Sequence, residues 1–210
     1  MKLYGYRNGR TLRAVWALEE VGASYEYAEV DLFGGEARQP WFLELNPAGK
    51  VPVLIDGTQI VTESLAICLH IAEKYPAAAL LPLPGSPERT QCYRWSSFVA
   101  MELDSALWTI AKHRFALPRE KRVEAVIDTA VWEWNHGASV LAQALASQPY
   151  LAGHAFSVAD ILAGHTLLWA KSARLDLPGG ALEGYLQTLE RRAALSRAQS
   201  RLRQAPSHAT

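Results

Sequence analysis

The chain has 210 residues, half of them apolar and a fifth charged, with 21 basic residues against 21 acidic ones. That balance leaves no basic footprint for nucleic acid or an anionic membrane surface, and no apolar run approaches the ~20 residues that span a bilayer. The N-terminal MKLYGYRNGR has no apolar signal-peptide core, so the expected compartment is the cytoplasm.

Lys2 to Tyr6 reads as a short strand. Thr11 to Val21 carries apolar residues at helical spacing and stops at Gly22. Tyr25 to Asp31 alternates as a strand does, and Gly34-Gly35 opens a loop before a short helix, Glu36 to Leu45, interrupted by proline. Val51 to Ile55 and Gln59 to Val61 flank Asp56-Gly57, a hairpin turn. Ser64 to Lys74 is a helix stopped by Tyr75-Pro76. Pro76, Pro82, Pro84 and Gly85 then mark a linker. Beyond it, 87 to 115, 119 to 146, 158 to 172 and 182 to 194 are helical in period, and RAQSRLRQAPSHAT reads as a short helix and frayed tail. The fold class is therefore α/β plus all-α, and the chain shows no internal repeat.

Two cysteines, Cys68 and Cys92, sit apart in helix-like contexts. They are expected to be buried small hydrophobes rather than a disulfide framework, and no His/Cys/Asp spacing points to a metal. The seven tryptophans and eight tyrosines foretell aromatic packing in a core, an interface or a pocket.

Three stretches carry chemistry. In NPAGKVPVL (46–54), Pro52 has no N–H to give a ladder, so it belongs at a strand start or edge. A cis bond at Val51-Pro52 would turn the Val51 backbone outward to pair with an extended peptide; the alternative is a plain loop proline. In VTES (61–64), Glu63 and Ser64 suit a helix start, either as simple caps or as a site for a carboxylate and an ammonium on one carbon. FSVADI (156–161) matches a capping box, with Ser157 as cap and Asp160 three residues on, and reads as structural.

Taken in order, KLYGY…LRAVWALEEVG, LNPAGKVPVL, TESLAICLHIAEKYP and FSVADI resemble the cytosolic glutathione transferase family along nearly the whole chain. The resemblance implies a thioredoxin-like N-terminal domain (1–76), a linker (77–86) and a helical-bundle C-terminal domain (87–210), usually in a homodimer. It implies glutathione as co-substrate. Val51 would pair with the cysteinyl part beside cis-Pro52, Glu63 and Ser64 would hold the γ-glutamyl end, and Lys50 would approach the glycine carboxylate. Where the family often has asparagine after Glu-Ser, this chain has Leu65.

The family activates the thiol with a residue just after the first strand, commonly Tyr, Ser or Cys. Here that place holds Asn8 and Gly9, with Thr11 two further on. Lowering a thiol pKa from about 8.5 by two units takes roughly 2.7 kcal/mol. One hydrogen bond to an anion supplies about 1.5–3 kcal/mol, and a helix start adds about 0.3–1 kcal/mol. Asn8, Thr11, Arg10 and Tyr6 are therefore candidate donors, without a nucleophilic cysteine. Asn8-Gly9 also resembles a Thr/Asn pair in disulfide-reductase members; the alternative is a plain turn and a dead site. Arg10 reads either as a cation near the thiolate or as a solvated residue, and Arg13 as a solvated helix residue.

In ALWTIAKHRFALP (106–118), Trp108, Lys112 and Phe115 fall near one face with His113 beside them. By resemblance this stretch binds the acceptor; the alternative is a charged helix end. His165, on an apolar face, is expected to be a core histidine, and Trp132, Trp134 and His136 are candidates for the core. The expected activity is attack of glutathione thiolate on a small electrophile. The alternatives are disulfide reduction, a peroxidase activity, or a non-catalytic glutathione-binding or interaction protein.

Overall fold

Four strands, β1 (Lys2–Gly5), β2 (Glu26–Glu29), β3 (Val53–Asp56) and β4 (Gln59–Thr62), make one mixed sheet in a computed structural model that describes residues 1–204. The strand order is β2-β1-β3-β4. β1 runs parallel to β2, pairing Gly5 with Glu29, and antiparallel to β3, pairing Leu3 with Leu54. β3 and β4 form the expected hairpin, but its two-residue turn is Gly57-Thr58, one residue later than expected, because Asp56 still pairs with Gln59; Gly57 takes φ +61°. β1, β2 and β3 are shorter than their sequence patterns, whereas β4 runs one residue further, to Thr62; Tyr6 lies past the end of β1, and Val51 and Pro52 lie ahead of β3.

The helices of this part are α1 (Thr11–Glu20), α2 (Pro40–Leu45) and α3 (Ser64–Lys74). In α1, the run Ala14 to Leu18 is wholly buried, and Leu3, Val53 and Leu54 are likewise fully buried in the sheet. Burying each large apolar side chain contributes about 1.5–3 kcal/mol, so this short helix is held by packing more than by propensity. Val30, Ala37, Phe42 and Val53 form a second cluster.

Asp56 ties the hairpin to α3, accepting from His70 Nε2 at 2.8 Å and from Lys74 Nζ. Lys74, and then His70, hold the Asp56 carboxyl below the usual carboxylate range. Its stabilising contribution is present above about pH 4, the unfolded value, and is lost as pH falls through the folded pKa. Asp56→Asn is expected to lower stability by about 0.5–1 kcal/mol at pH 7, given the exposed Lys74 partner, with the deficit vanishing at acid pH. Denaturant melts at the two pH values check this.

The second group of helices is α4 (Pro87–Phe98), α5 (Asp104–Ala111), α6 (Ala125–Leu145), α7 (Val158–Ser172) and α8 (Gly180–Glu190). The single helix expected over 87–115 carries two π segments, Val99–Leu103 and Lys112–Ala116. The helix expected over 182–194 ends at Glu190, and α9 (Ala193–Gln204) begins a new one. The frayed tail expected beyond it lies outside the described residues.

Contacts divide the chain into two compact units, one of residues 1–81 with the described residues from 190 onward, the other of residues 82–189. The boundary falls inside the proline-rich stretch, but α9, expected with the helical half, belongs to the first unit. The cause is an interface on α1. Arg192 is bidentate to Glu20 at 2.6 and 2.8 Å, Arg197 Nε donates to Glu19 at 2.9 Å, and Arg201 lies over the Tyr25 ring.

In the second unit, Val158 to Leu167 is buried without interruption, including His165 at 5 % exposure as expected for a core histidine. Trp134 is core, with its indole N–H donating to Asp176 O, whereas Trp132 is 67 % exposed and stacks on His136. Both cysteines are buried thiols, and burial pushes Cys68 up to about 12.

Candidate functional site

Past Gly5 the chain leaves the sheet. The Tyr6 N–H donates to Thr11 Oγ1 at 3.0 Å, and the Arg7 N–H donates to Glu29 Oε1 at 3.2 Å. Gly5 permits this because a Cβ there would stand 2.2 Å from Thr11 Cγ2. Asn8 and Gly9 are exposed, and Gly9 takes φ +129°, a conformation that L side chains rarely adopt. Arg10 is half-buried just ahead of α1. Thr11 is 1 % exposed, its hydroxyl turned to the loop backbone. The Tyr6 ring packs edge-on against exposed Phe33.

The Val51-Pro52 bond is cis. Ahead of it, Asn46 Nδ2 donates to Lys50 O at 2.7 Å and its Oδ1 accepts from Ala48 N–H, which shapes the turn that presents exposed Lys50. Arg38 lies over the same turn; a Cβ on Gly49 would meet its Nη1 at 2.9 Å. Arg38 escaped notice in the sequence because nothing local distinguishes it from a solvated arginine. None of the hydrogen bonds of the described residues engages the Val51 backbone.

Glu63 precedes α3 at φ +66°, ψ +121°, which costs about 1–3 kcal/mol for a residue with a side chain. Its side chain is exposed, and Ser64 behind it is 6 % exposed. Arg13 corrects the sequence reading. It is 2 % exposed rather than solvated, and its Nη1 donates to Ser64 Oγ at 3.3 Å. The signal was present: Arg13 shares the α1 face of Trp16 and Ala17, both buried. Its backbone carbonyl also accepts from Cys68 Sγ at 3.5 Å. A guanidinium, a hydroxyl, the start of a helix and an exposed carboxylate thus share one corner, an arrangement able to receive a zwitterionic group.

Of the residues expected on the acceptor side, Phe115 lines a cleft of about 330 Å³ between α5 and α7 in the second unit, with Ile110, Arg114 and Trp169. Trp108, Lys112 and His113 are not among its walls. Trp108 lies in α5, and from Lys112 to Ala116 the i→i+5 bonding replaces the α spacing assumed for Lys112, His113 and Phe115. His113 instead accepts at Nδ1 from the Val123 N–H at 3.0 Å, and Arg122 donates to the carbonyls of Phe115 and Leu117. Together they secure the loop after the π segment. No group of acidic, histidine or cysteine side chains among the described residues is placed to hold a metal, and no described helix is long and apolar enough to cross a membrane.

Residues 1–73 match the family model for the glutathione S-transferase N-terminal domain, and residues 105–193 the one for the C-terminal domain. Glutathione S-transferase 3 of Zea mays is 35 % identical over 190 residues, 85 % of this chain and 82 % of its own. A zeta-class glutathione S-transferase of Euphorbia esula is 43 % identical over 83 residues, 39 % of this chain and 37 % of that protein. Among solved structures, the ternary complex of BphK, a bacterial glutathione transferase, superposes with a TM-score of 0.86 at 30 % identity, covering 96 % of this chain and 99 % of its own. A sphingomonad glutathione S-transferase complexed with glutathione gives 0.84 at 32 % identity, covering 98 % and 100 %. A thioredoxin-like sheet domain followed by a helical domain, matched in sequence and fold along nearly all its length, makes this chain a member of the cytosolic glutathione S-transferase family.

Proposed function

We propose that the chain binds glutathione at the corner of its first unit, ionises the thiol there, and transfers the thiolate to a small electrophile. The observation that carries this is the Glu63-Ser64 corner. A side-chain-bearing residue is held in a left-handed conformation at a helix start, and the serine beside it is tied to a buried arginine. In this reading the Ser64 hydroxyl and the first N–H groups of α3 take the γ-glutamyl carboxylate, and Glu63 accepts from its ammonium group. The Val51 backbone pairs with the cysteinyl residue beside cis-Pro52, and Lys50 with Arg38 meets the glycine carboxylate.

The sulfur then lies at the first loop. Asn8 donates its side-chain amide, and the start of α1 at Arg10 and Thr11 adds a positive potential. Thr11 contributes by fixing the loop, since its hydroxyl accepts from Tyr6 N–H and is buried. The thiol proton leaves to solvent, the thiolate forms the new S–C bond, and the leaving group departs from the acceptor carbon. Within the second unit, Phe115 and Trp169 line a cleft whose apolar surface suits an acceptor's body. The working form in this reading is a cytoplasmic homodimer.

Asn8→Ala tests the donor. Loss of one hydrogen bond to an anion is expected to raise the bound-thiol pKa by about 1–2 units and lower kcat at pH 6.5 roughly tenfold or more. Steady-state assays with an aryl halide and with a glutathionyl disulfide measure both acceptor classes. Turnover of the disulfide alone would overturn conjugation in favour of reduction. Calorimetry showing no glutathione binding at millimolar levels would overturn the whole reading.

A further inference from the structure

Glu29 is the last residue of β2 and pairs with Gly5, the last of β1. Its side chain is 5 % exposed. A carboxylate so covered needs donors, and Arg7 and Tyr27 are among those that supply them. Oε1 accepts from the Arg7 backbone N–H at 3.2 Å and from Arg7 Nε at 2.9 Å; Oε2 accepts from the Tyr27 hydroxyl at 2.7 Å. Two bonds from one residue, one backbone and one side chain, converge on the same oxygen. The neighbouring Tyr6 N–H is held by Thr11, and the Gly5 carbonyl accepts from Val30 N–H at 2.7 Å. The chain just ahead of Asn8 is therefore anchored on both sides, to β2 and to α1.

We propose that Glu29 is a positioning residue: by gripping Arg7 it fixes the root of the Asn8–Arg10 turn, and so the aim of that turn at the glutathione sulfur. This rests on the thiolate reading given above. Glu29 touches neither sulfur nor acceptor. Its effect is one of geometry, because its charge is paired by Arg7, and a misplacement of about an ångström is enough to weaken a donor to a reacting atom.

Charge and geometry predict opposite outcomes, which makes the idea testable. A nearby anion disfavours a thiolate, so a pure charge effect predicts a lower thiol pKa when Glu29 is neutralised. Positioning predicts a higher one when the grip is lost. The bound thiol is titrated by its thiolate absorbance at saturating glutathione, alongside kcat against pH and calorimetric Kd, in wild type, Glu29→Ala, Glu29→Gln and Tyr27→Phe. Glu29→Ala is expected to raise the midpoint by about one unit, leaving roughly tenfold less thiolate below it, with Kd changed less than about threefold. Glu29→Gln, which keeps an acceptor for Arg7, is expected to restore most of the shift, and Tyr27→Phe to show a smaller rise. An unmoved midpoint in Glu29→Ala overturns the proposal, as does a fall in Glu29→Gln. If Glu29→Ala does not fold, Tyr27→Phe decides alone, and an unshifted midpoint there overturns it. Absence of thiolate in the wild type near neutral pH instead removes the underlying functional reading, an outcome distinct from variants that titrate like a competent wild type.

Discussion

Asp160→Ala is expected to lower the melting temperature by roughly 6–12 °C, the effect of losing about 3 kcal/mol in a chain of this size. Asp160 is fully buried, and all of its acceptor capacity is engaged. Oδ1 accepts from Leu151 N–H at 2.9 Å and from the Tyr185 hydroxyl at 2.7 Å; Oδ2 accepts from the Ser157 N–H at 2.8 Å and its hydroxyl at 2.9 Å. Truncation leaves four buried donors without their acceptor, and it dismantles the box that starts α7, the most deeply buried helix of its unit. Burial raises the Asp160 carboxyl above its ordinary value despite those donors. The folded state therefore holds the proton more tightly. The stability from this titration is present below about pH 3.9, the unfolded value, and is lost as pH rises through the folded pKa. The gap between wild type and variant should narrow between pH 4 and pH 7. Thermal melts across that range measure both effects, and a shift of under about 2 °C would show the network to be dispensable.

The second large effect is on binding. Ser64→Ala removes the hydroxyl that accepts from Arg13 and faces the proposed carboxylate site. Glutathione affinity should fall by roughly 10–100-fold, or about 1.4–2.8 kcal/mol, with kcat at saturating glutathione little changed. Glu63→Gly separates the two roles of the adjacent position. Glycine adopts φ +66° without penalty, so the variant should melt higher while binding glutathione about tenfold more weakly. Calorimetry and melting on the same samples provide the readout. Loss of stability together with affinity would mean that Glu63 serves the fold rather than the ligand.

Several of the residues that matter could be read directly from the chain. Asp56-Gly57 announced a hairpin, Ser157 and Asp160 a helix start, and Val51-Pro52 and Glu63-Ser64 the two ends of one corner. Each is a matter of turn chemistry or capping within a few residues, which local sequence specifies. The strand order β2-β1-β3-β4, with its parallel β1-β2 pair, is set by the pairing of segments far apart in the chain, which no local window states. The π segment at Lys112–Ala116 was not legible, because no spacing rule distinguishes it from the α-helix it extends.

What the sequence determined by itself was the order of elements, their punctuation by glycine and proline, and the short motifs that cap and turn them. What only the tertiary structure decided was the fate of charged side chains. Arg13 is buried with Ser64, 51 residues away, among its partners, and Arg192 ties the start of α9 to the first unit because Glu20, 172 residues earlier, is bidentate to it. A charge leaves water when a partner meets it, and the meeting of distant partners is a property of the folded chain rather than of any local window.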